Sequence, residues 1–407
     1  MTTSFDSNVV VMNSRRFSIS HGNHNNSNSS SSKTNNDNNV VVVAGKVSVE
    51  AEAGVDDAEK RMAAIELDHD ATDRPLTGST AHADGTGDFE VAYSDKKKKS
   101  IAWFSIIEDM GQGAYGQVKL AKYRHGRQNS ITSDADKNNN NNNNDDDDDD
   151  DDDGLASVMV VLKYVTKRRI LVDTWIRDRK LGTIPLEIHV LQYLRQYPHR
   201  NVVVMRDFFE DDVNYYIEMT PHVPGMDLFD YIELRERGTY MDEIECRSIF
   251  WQVASAVAHL HRAGVVHRDI KDENVILDQD GNIKLIDFGS AAYVKDAPFT
   301  VFVGTIDYAA PEVLRGQSYD GKKQDVWALG ILLYTIIYKE NPFYDSNEII
   351  NSELRVPYVL SDQSLALIRK MIDRNVDSRP TVDQVLQDPW LKDLINVDQA
   401  ENLQPAS

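Results

Sequence analysis

The residues His267-Arg268-Asp269-Ile270-Lys271-Asp272-Glu273-Asn274 bring a carboxylate, an ammonium and an amide into one short stretch. Asp287-Phe288-Gly289 follows, its aspartate eighteen positions after Asp269. Such a set suits phosphoryl transfer, in which positioning and charge stabilisation carry most of the catalysis. Asp269, with Lys271 beside it, would accept or orient the proton of an attacking hydroxyl. Asn274 and Asp287 would hold Mg²⁺ against nucleotide phosphates. Either segment alone fits an ordinary polar loop or turn. Both together, with the partners found upstream, do not.

Those partners begin with Gly111-Gln112-Gly113-Ala114-Tyr115-Gly116. The glycine spacing is shared with dinucleotide-binding folds, where it opens a helix after a strand. Here Gln117 to Lys122 alternates polar and apolar and reads as a second strand. Strand, glycine turn and strand make a flap whose backbone approaches phosphates closely. The Gly-Lys-Ser/Thr ending of a P-loop is missing. Val158 to Val165 then reads as a buried strand carrying one lysine, Lys163, which is costly there unless paired. Its candidate partner is Glu187, on a helix predicted to begin at Pro185 with Leu191 and Leu194 on the same face. Lys163 would contact the α- and β-phosphates and Glu187 would fix it; the bland alternative is a surface lysine on an edge strand.

Tyr215 to Thr220 reads as a strand running into a Pro- and Gly-containing connection, a hinge between two lobes. Backbone groups of Glu218 and Thr220 are expected to read an adenine edge, and Asp227 to meet a ribose hydroxyl or a substrate arginine. A long apolar helix follows, marked by Ile249-Phe250-Trp251, Val253, Ala254, Val257, Ala258 and Leu260. His259 and His261, at its end, are expected to be capping or surface residues. Asp278 to Asn282 predicts a hairpin turn, and Asp325 to Leu333 a helix buried all round. Arg379 could pair with Glu312.

Composition bounds the remainder. The formal charge is −22, and the nine aspartates Asp145 to Asp153 leave about −13 elsewhere, which argues against nucleic-acid binding by phosphate neutralisation. The single Cys246 sits among apolar residues and is expected to be a buried structural thiol, which suits a reducing compartment. No apolar run approaches the roughly 20 residues needed to span a bilayer, and the start does not read as a signal peptide. A soluble cytoplasmic or nuclear protein is the expectation; oligomeric state is not readable. Residues 1–98 are Asn/Ser-rich and predicted disordered, with Val40 to Val43 too brief to anchor anything. Lys96 to Lys99 reads as a solvated run or a localisation patch. Residues 124–156, with seven Asn then nine Asp, are expected to be a disordered insert between two strands. The folded domain is expected over 99–392, with 393–407 as a tail.

Over residues 104 to about 392 these motifs resemble the eukaryotic protein kinase domain. Lys271, two after Asp269, matches the serine/threonine branch. A closer likeness is to PAS-domain-containing kinases, through Leu171-Val172-Asp173-Thr174-Trp175-Ile176, Lys180-Leu181-Gly182, Leu186-Glu187-Ile188, Asp227-Leu228-Phe229 and Leu285 to Tyr293. PIM kinases share Asp272-Glu273-Asn274 and Phe288-Gly289-Ser290. The resemblance implies an α+β bilobal fold, a small β-rich lobe with one key helix above a larger, mainly helical one. It implies ATP and Mg²⁺ as cofactors and protein serine or threonine as substrate. Val118, Val161 and Ile276 join the nucleotide set, and Thr305 bonds to Asp269 and Lys271. Asp287 to Ala310-Pro311-Glu312 becomes the activation segment.

Val301 stands at the usual activation-segment phosphorylation position, with Thr300 one residue out of register. Activity without that phosphorylation is therefore expected, as the PAS kinase resemblance also implies. Asp227 and Glu273 match positions where basophilic kinases recognise an arginine three residues before the acceptor. Ser18 and Ser130 each follow such an arginine and are candidate autophosphorylation sites. Residues 1–98 show no sign of a PAS fold. Two rival readings are a pseudokinase scaffold, against which Lys163, Asp269, Asn274 and Asp287 all stand present, and a small-molecule phosphotransferase, disfavoured by the complete segment from Gly304-Thr305 to Glu312.

Overall fold

The computed structural model describes residues 9–10, 42–44, 99–112, 116–124, 159–171, 174–222, 224–235, 239–392 and 394. The insert beyond Arg124, both candidate autophosphorylation sites, the glycine-loop tip 113–115 and the tail apart from Leu394 lie outside them. In the N-terminal stretch two strands are described, β1 (Val9–Val10) and β2 (Val42–Ala44), paired antiparallel.

The smaller lobe is an antiparallel sheet. Its strands are β3 (Phe104–Gln112), β4 (Gln117–Tyr123), β5 (Met159–Thr166), β8 (Met205–Glu210) and β9 (Asn214–Met219), in the order β3-β4-β5-β9-β8. Between β5 and the α-helix described in this lobe lies a hairpin, β6 (Trp175–Asp178) and β7 (Gly182–Pro185). Pro185 ends the hairpin and takes the N-cap position of α1 (Leu186–Leu194), rather than lying inside its first turn. Ile188, Val190, Leu191 and Leu194 of α1 are buried against the sheet.

The larger lobe is mainly helical, beginning with β10 (Gly225–Asp227) and α2 (Leu228–Glu233). Its central helix is α3 (Glu243–Arg262), started by Asp242, whose carboxylate accepts from the Glu245 N–H. Short strands β11 (Val265–Val266), β12 (Val275–Asp278), β13 (Ile283–Leu285) and β14 (Ala292–Tyr293) follow. They pair as β10-β12-β13 and β11-β14 and present the catalytic loop at the lobe's upper face. β15 (Val301–Phe302) and α4 (Pro311–Leu314) lead to α5 (Gly321–Tyr338), from which sixteen residues are buried. Helices α6 (Ser346–Asn351), α7 (Asp362–Met371) and α8 (Val382–Leu386) complete it.

Besides the place of Pro185, four expectations need correction. Lys99 is no solvated residue: its side chain is 12% exposed and ion-paired with Glu218 (2.5 Å) and Asp207 (3.1 Å). Its ammonium also lies over the Phe104, Tyr123 and Phe209 rings, a π-lined setting that suits a cation. His261 is buried rather than at the surface, its Nε2 2.8 Å from Asp325 Oδ2. Val42–Ala44, in the patch read as too short to anchor, pairs with Val301–Phe302; backbone pairing asks only for extended chain on both sides, not for a large apolar area. The fourth concerns Glu218 and belongs with the site.

Candidate active site

Lys163 and Val161 lie two apart on β5 and so face the same side of the sheet. On the neighbouring strand their register partners are Ile217 and Met219, while Glu218 is opposite Leu162. Glu218 therefore points to the far face, where it accepts from Lys99 and from the Tyr123 hydroxyl at 2.8 Å. Its backbone sits within the β5-β9-β8 ladder, so Glu218 does not line the cavity between the lobes. Met219, Thr220, Pro221 and His222 do. Sequence periodicity alone could have found this, since Tyr215, Ile217 and Met219 alternate onto one face.

That cavity encloses about 320 Å³. Gly111, Gln112, Val118 and Val161 line it from above, and Asp227, Asp269, Lys271, Asn274, Ile276 and Asp287 from below. Gly116 is pressed against β5: a Cβ there would fall 1.7 Å from the Tyr164 carbonyl oxygen, so only glycine fits. Lys163 Nζ donates to Glu187 and, at 2.8 Å, to Asp287 Oδ1. Burial works to lower the lysine's pKa, but the Asp287 and Glu187 carboxylates outweigh it and hold the ammonium charged. Asp287 is driven the other way. Burial opposes its ionisation, yet Lys163, the Gly289 N–H and Lys271 keep it well below the usual carboxylate range. Asp287 also takes a left-handed backbone, φ 58°, held by the bond from Gly289 N–H to Oδ1 at 3.1 Å.

Below, Asp269 is fixed from two sides. Thr305 donates to Asp269 Oδ1 from its backbone N–H (3.0 Å) and its hydroxyl (2.8 Å). Asn274 Nδ2 donates to the Asp269 carbonyl at 2.8 Å and to Oδ2 at 3.2 Å. Lys271 Nζ stands 4.0 Å from Asp269 Oδ2 and 2.6 Å from Glu273 Oε2. Burial works against its charge, but Asp269 and Glu273 raise its pKa above the ordinary lysine range. Thr305 lies just outside the cavity wall, acting on it through Asp269.

The donor set fits a hard cation and a nucleotide. Asn274 spends its amide nitrogen on Asp269 and Asp287 spends Oδ1 on Lys163 and Gly289, which leaves an oxygen of each for Mg²⁺. Two protein oxygens are what an ion that keeps waters and phosphate ligands requires. Among the described residues no group of three His, Cys, Asp or Glu forms a closed metal cage.

Asp227 caps α2, accepting from the Asp230 N–H at 2.8 Å, and its pKa is raised by burial and then by Asp230, Asp272 and Glu273. Carboxylates gathered so closely attract a cation. The sequence reading missed the residues that hold the loop. Asp325 Oδ1 and Oδ2 accept the N–H groups of Arg268 (2.8 Å) and His267 (3.0 Å), and the Tyr308 hydroxyl donates to Asp272 (3.0 Å). Asp325 opens a uniformly apolar run, and a lone acid there was the available signal. His189 of α1 reaches the Tyr293 hydroxyl (2.8 Å) and Asp178 of the hairpin (3.4 Å), tying the Glu187 helix to the activation segment.

No helix among the described residues is long and apolar enough to cross a membrane. Residues 154–391 match the protein kinase domain family. The chain is 46% identical over 299 residues to the serine/threonine-protein kinase ppk6 of Schizosaccharomyces pombe, covering 74% of this chain and 34% of that one. It is 49% identical over 303 residues to the serine/threonine-protein kinase PSK2 of Saccharomyces cerevisiae, covering 74% and 24%. To the mouse PAS domain-containing serine/threonine-protein kinase it is 40% identical over 239 residues, covering 58% and 17%. The matched region thus spans about a third or less of these relatives. With the two-lobed α+β fold and the cavity between its lobes, the chain belongs to the protein kinase domain family, as a eukaryotic serine/threonine kinase catalytic domain of the PAS-kinase type.

Proposed function

We propose that this chain transfers the γ-phosphate of ATP to serine or threonine of protein substrates that carry arginine three residues before the acceptor. The observation that carries the reading is the Asp269 carboxylate, held by Thr305 and Asn274 at the floor of the cavity that Lys163 and Asp287 enter. Asp269 orients the substrate hydroxyl and takes its proton as the new oxygen–phosphorus bond forms and the bond to the ADP oxygen breaks. Lys163, fixed by Glu187, holds the α- and β-phosphates, and Lys271 offsets charge at the transferred group. Mg²⁺, when bound at Asn274 and Asp287, neutralises phosphate charge. Thr220 and His222 offer backbone groups to the adenine edge, and Asp227 takes the ribose or, with Glu273, the substrate arginine. The domain boundaries that accompany this reading are a kinase domain over 99–392 with its insert at 124–156. A reducing compartment, cytoplasm or nucleus, suits its lone buried thiol.

We further infer that the chain works without phosphorylation of its activation segment, because Val301, at the usual position, carries no hydroxyl and Thr300 is one residue out of register. The test compares enzyme verified as unphosphorylated in that segment, and Thr300→Ala, on an Arg-x-x-Ser peptide and its Ala-x-x-Ser counterpart. Equal turnover by the two enzymes and a roughly tenfold or greater preference for arginine are expected, since a buried charge-assisted pair is worth about that much. Inert Thr300→Ala overturns the first part; equal use of both peptides overturns the second.

A further inference from the structure

Arg268 precedes the catalytic aspartate, and its guanidinium is a natural anion binder. Kinase activation segments are commonly ordered by an arginine pairing with a phosphate. Here Arg268 is 7% exposed, and among the described residues its guanidinium forms no salt bridge, the Asp325 carboxylate meeting only its backbone N–H. Its Nε donates to the Ser290 carbonyl at 2.7 Å, and the guanidinium carbon lies 4.9 Å from the centre of the Phe299 ring. A buried cation is thus matched by a carbonyl dipole, the Tyr319 hydroxyl and a π face.

Phe299 is set there by its own architecture. It exchanges two backbone hydrogen bonds of 2.9 Å with Tyr319, and their rings stand 5.6 Å apart. The Tyr319 hydroxyl donates to the Val301 carbonyl at 3.1 Å, and the Tyr319 ring meets Phe302 edge-on at 6.1 Å. Gly321 leaves the space below: a Cβ there would fall 2.8 Å from the Phe299 ring. Arg268 itself has a left-handed backbone, φ 65°, so the dipeptide Arg268-Asp269 is a strained element that its surroundings must hold. Phe299 grips it through the Arg268 side chain. Six residues on, Thr305 grips it through the Asp269 carboxylate.

We infer that Phe299 is a positioning residue, its ring occupying the face of Arg268 that a phosphate would otherwise neutralise and so keeping the activation segment and Asp269 in register. The inference deepens the phosphorylation-independence reading and rests on it for its role in turnover.

The test uses the full chain, verified as unphosphorylated in the activation segment, as wild type, Phe299→Ala, Phe299→Leu and Phe299→Tyr. Turnover of the arginine peptide, KM for ATP, Tm and amide exchange over residues 292–305 are measured. Loss of one desolvated cation–π contact corresponds to roughly a tenfold change. Phe299→Ala and Phe299→Leu should each lose about that in kcat and exchange about that much faster across the segment. KM for ATP should stay within about twofold, because the nucleotide contacts are untouched, and Phe299→Tyr should restore both readouts. Wild-type kcat and protection in Phe299→Leu would overturn the inference, because filling volume would then suffice. So would unchanged exchange in Phe299→Ala. If the wild type is inert yet loses protection in Ala and Leu only, the clamp stands and the phosphorylation-independence reading falls.

Discussion

Lys163 with Glu187 and Arg379 with Glu312 are both cation–carboxylate pairs buried between elements, one in each lobe. They differ in what else the cation touches. Arg379 donates to both Glu312 oxygens (2.7 and 3.0 Å) and to the carbonyls of Lys323 (2.9 Å) and Asp373 (3.1 Å), with its ring-stacked guanidinium 5.2 Å from Trp327. Four of its five N–H donors are engaged, and it does not line the cavity between the lobes. Lys163 is shared between Glu187 and, at 2.8 Å, Asp287, and all three line the cavity between the lobes. A pair of the first kind pins the end of the activation segment; a pair with a shareable cation is placed to serve a charged ligand.

Substitutions should separate the two. Asp269→Asn, at the centre of the second kind of site, should cost about 10²–10⁴-fold in kcat with little change in Tm, the range for a lost general base. Lys163→Met should cost at least about 10²-fold, as for a removed electrostatic donor. Its Tm should fall less than that of Arg379→Leu, because Glu187, whose pKa burial already raises, can take up a proton. Arg379→Leu leaves Glu312 buried without its cation and should cost about 3–5 kcal/mol, or roughly 10 °C in Tm. Circular dichroism melts beside initial rates would show it. Equal Tm losses for Lys163→Met and Arg379→Leu would erase the distinction drawn here.

His199 sharpens the comparison from the opposite side, as a half-buried group with no carboxylate among the charges that shift it. Burial, then His259, Lys284, Arg200 and Arg262, lower its pKa from 6.5 to about 4. The sign follows directly. Above pH 6.5 both folded and unfolded states hold it neutral and it contributes nothing to the pH dependence. As pH falls from 6.5 toward 4 the unfolded chain gains a proton that the folded one refuses, so stability declines over that window. Urea midpoints for His199→Gln should fall less between pH 7 and 5 than those of wild type. The smallest effect belongs to Cys246. Burial, with Glu245 and Asp242 nearby, pushes its thiol up to about 12, so a maleimide at pH 8 should label it only after unfolding.

Much of this site was legible because its chemistry lies in short, fixed spacings. Asp269, Asn274 and Asp287 come from two adjoining loops, and Lys163 betrayed itself as a cation in an apolar strand. What sequence hid was register and depth. Glu218 looked like a hinge residue because it sits at the strand's end, but period-two alternation sends it to the far face and leaves Met219 toward the nucleotide. Lys99 looked solvated because it closes a lysine run; only the fold brings Glu218 and three aromatic rings around it. The hairpin Trp175–Pro185 carries four-residue strands, too short to announce a period. Asp325 and Phe299 act on the catalytic loop from 56 and 30 positions beyond Asp269, contacts that no local pattern encodes.

The most direct measurement of the central claim is a single-turnover assay with labelled ATP and an Arg-x-x-Ser peptide, wild type beside Asp269→Asn. Nucleotide binding is measured on both. Label on the peptide serine with wild type, at most about one-hundredth of that rate with Asp269→Asn, and equal nucleotide affinity are expected. Transfer at equal rates by the two proteins, or none by wild type that binds ATP, would contradict it.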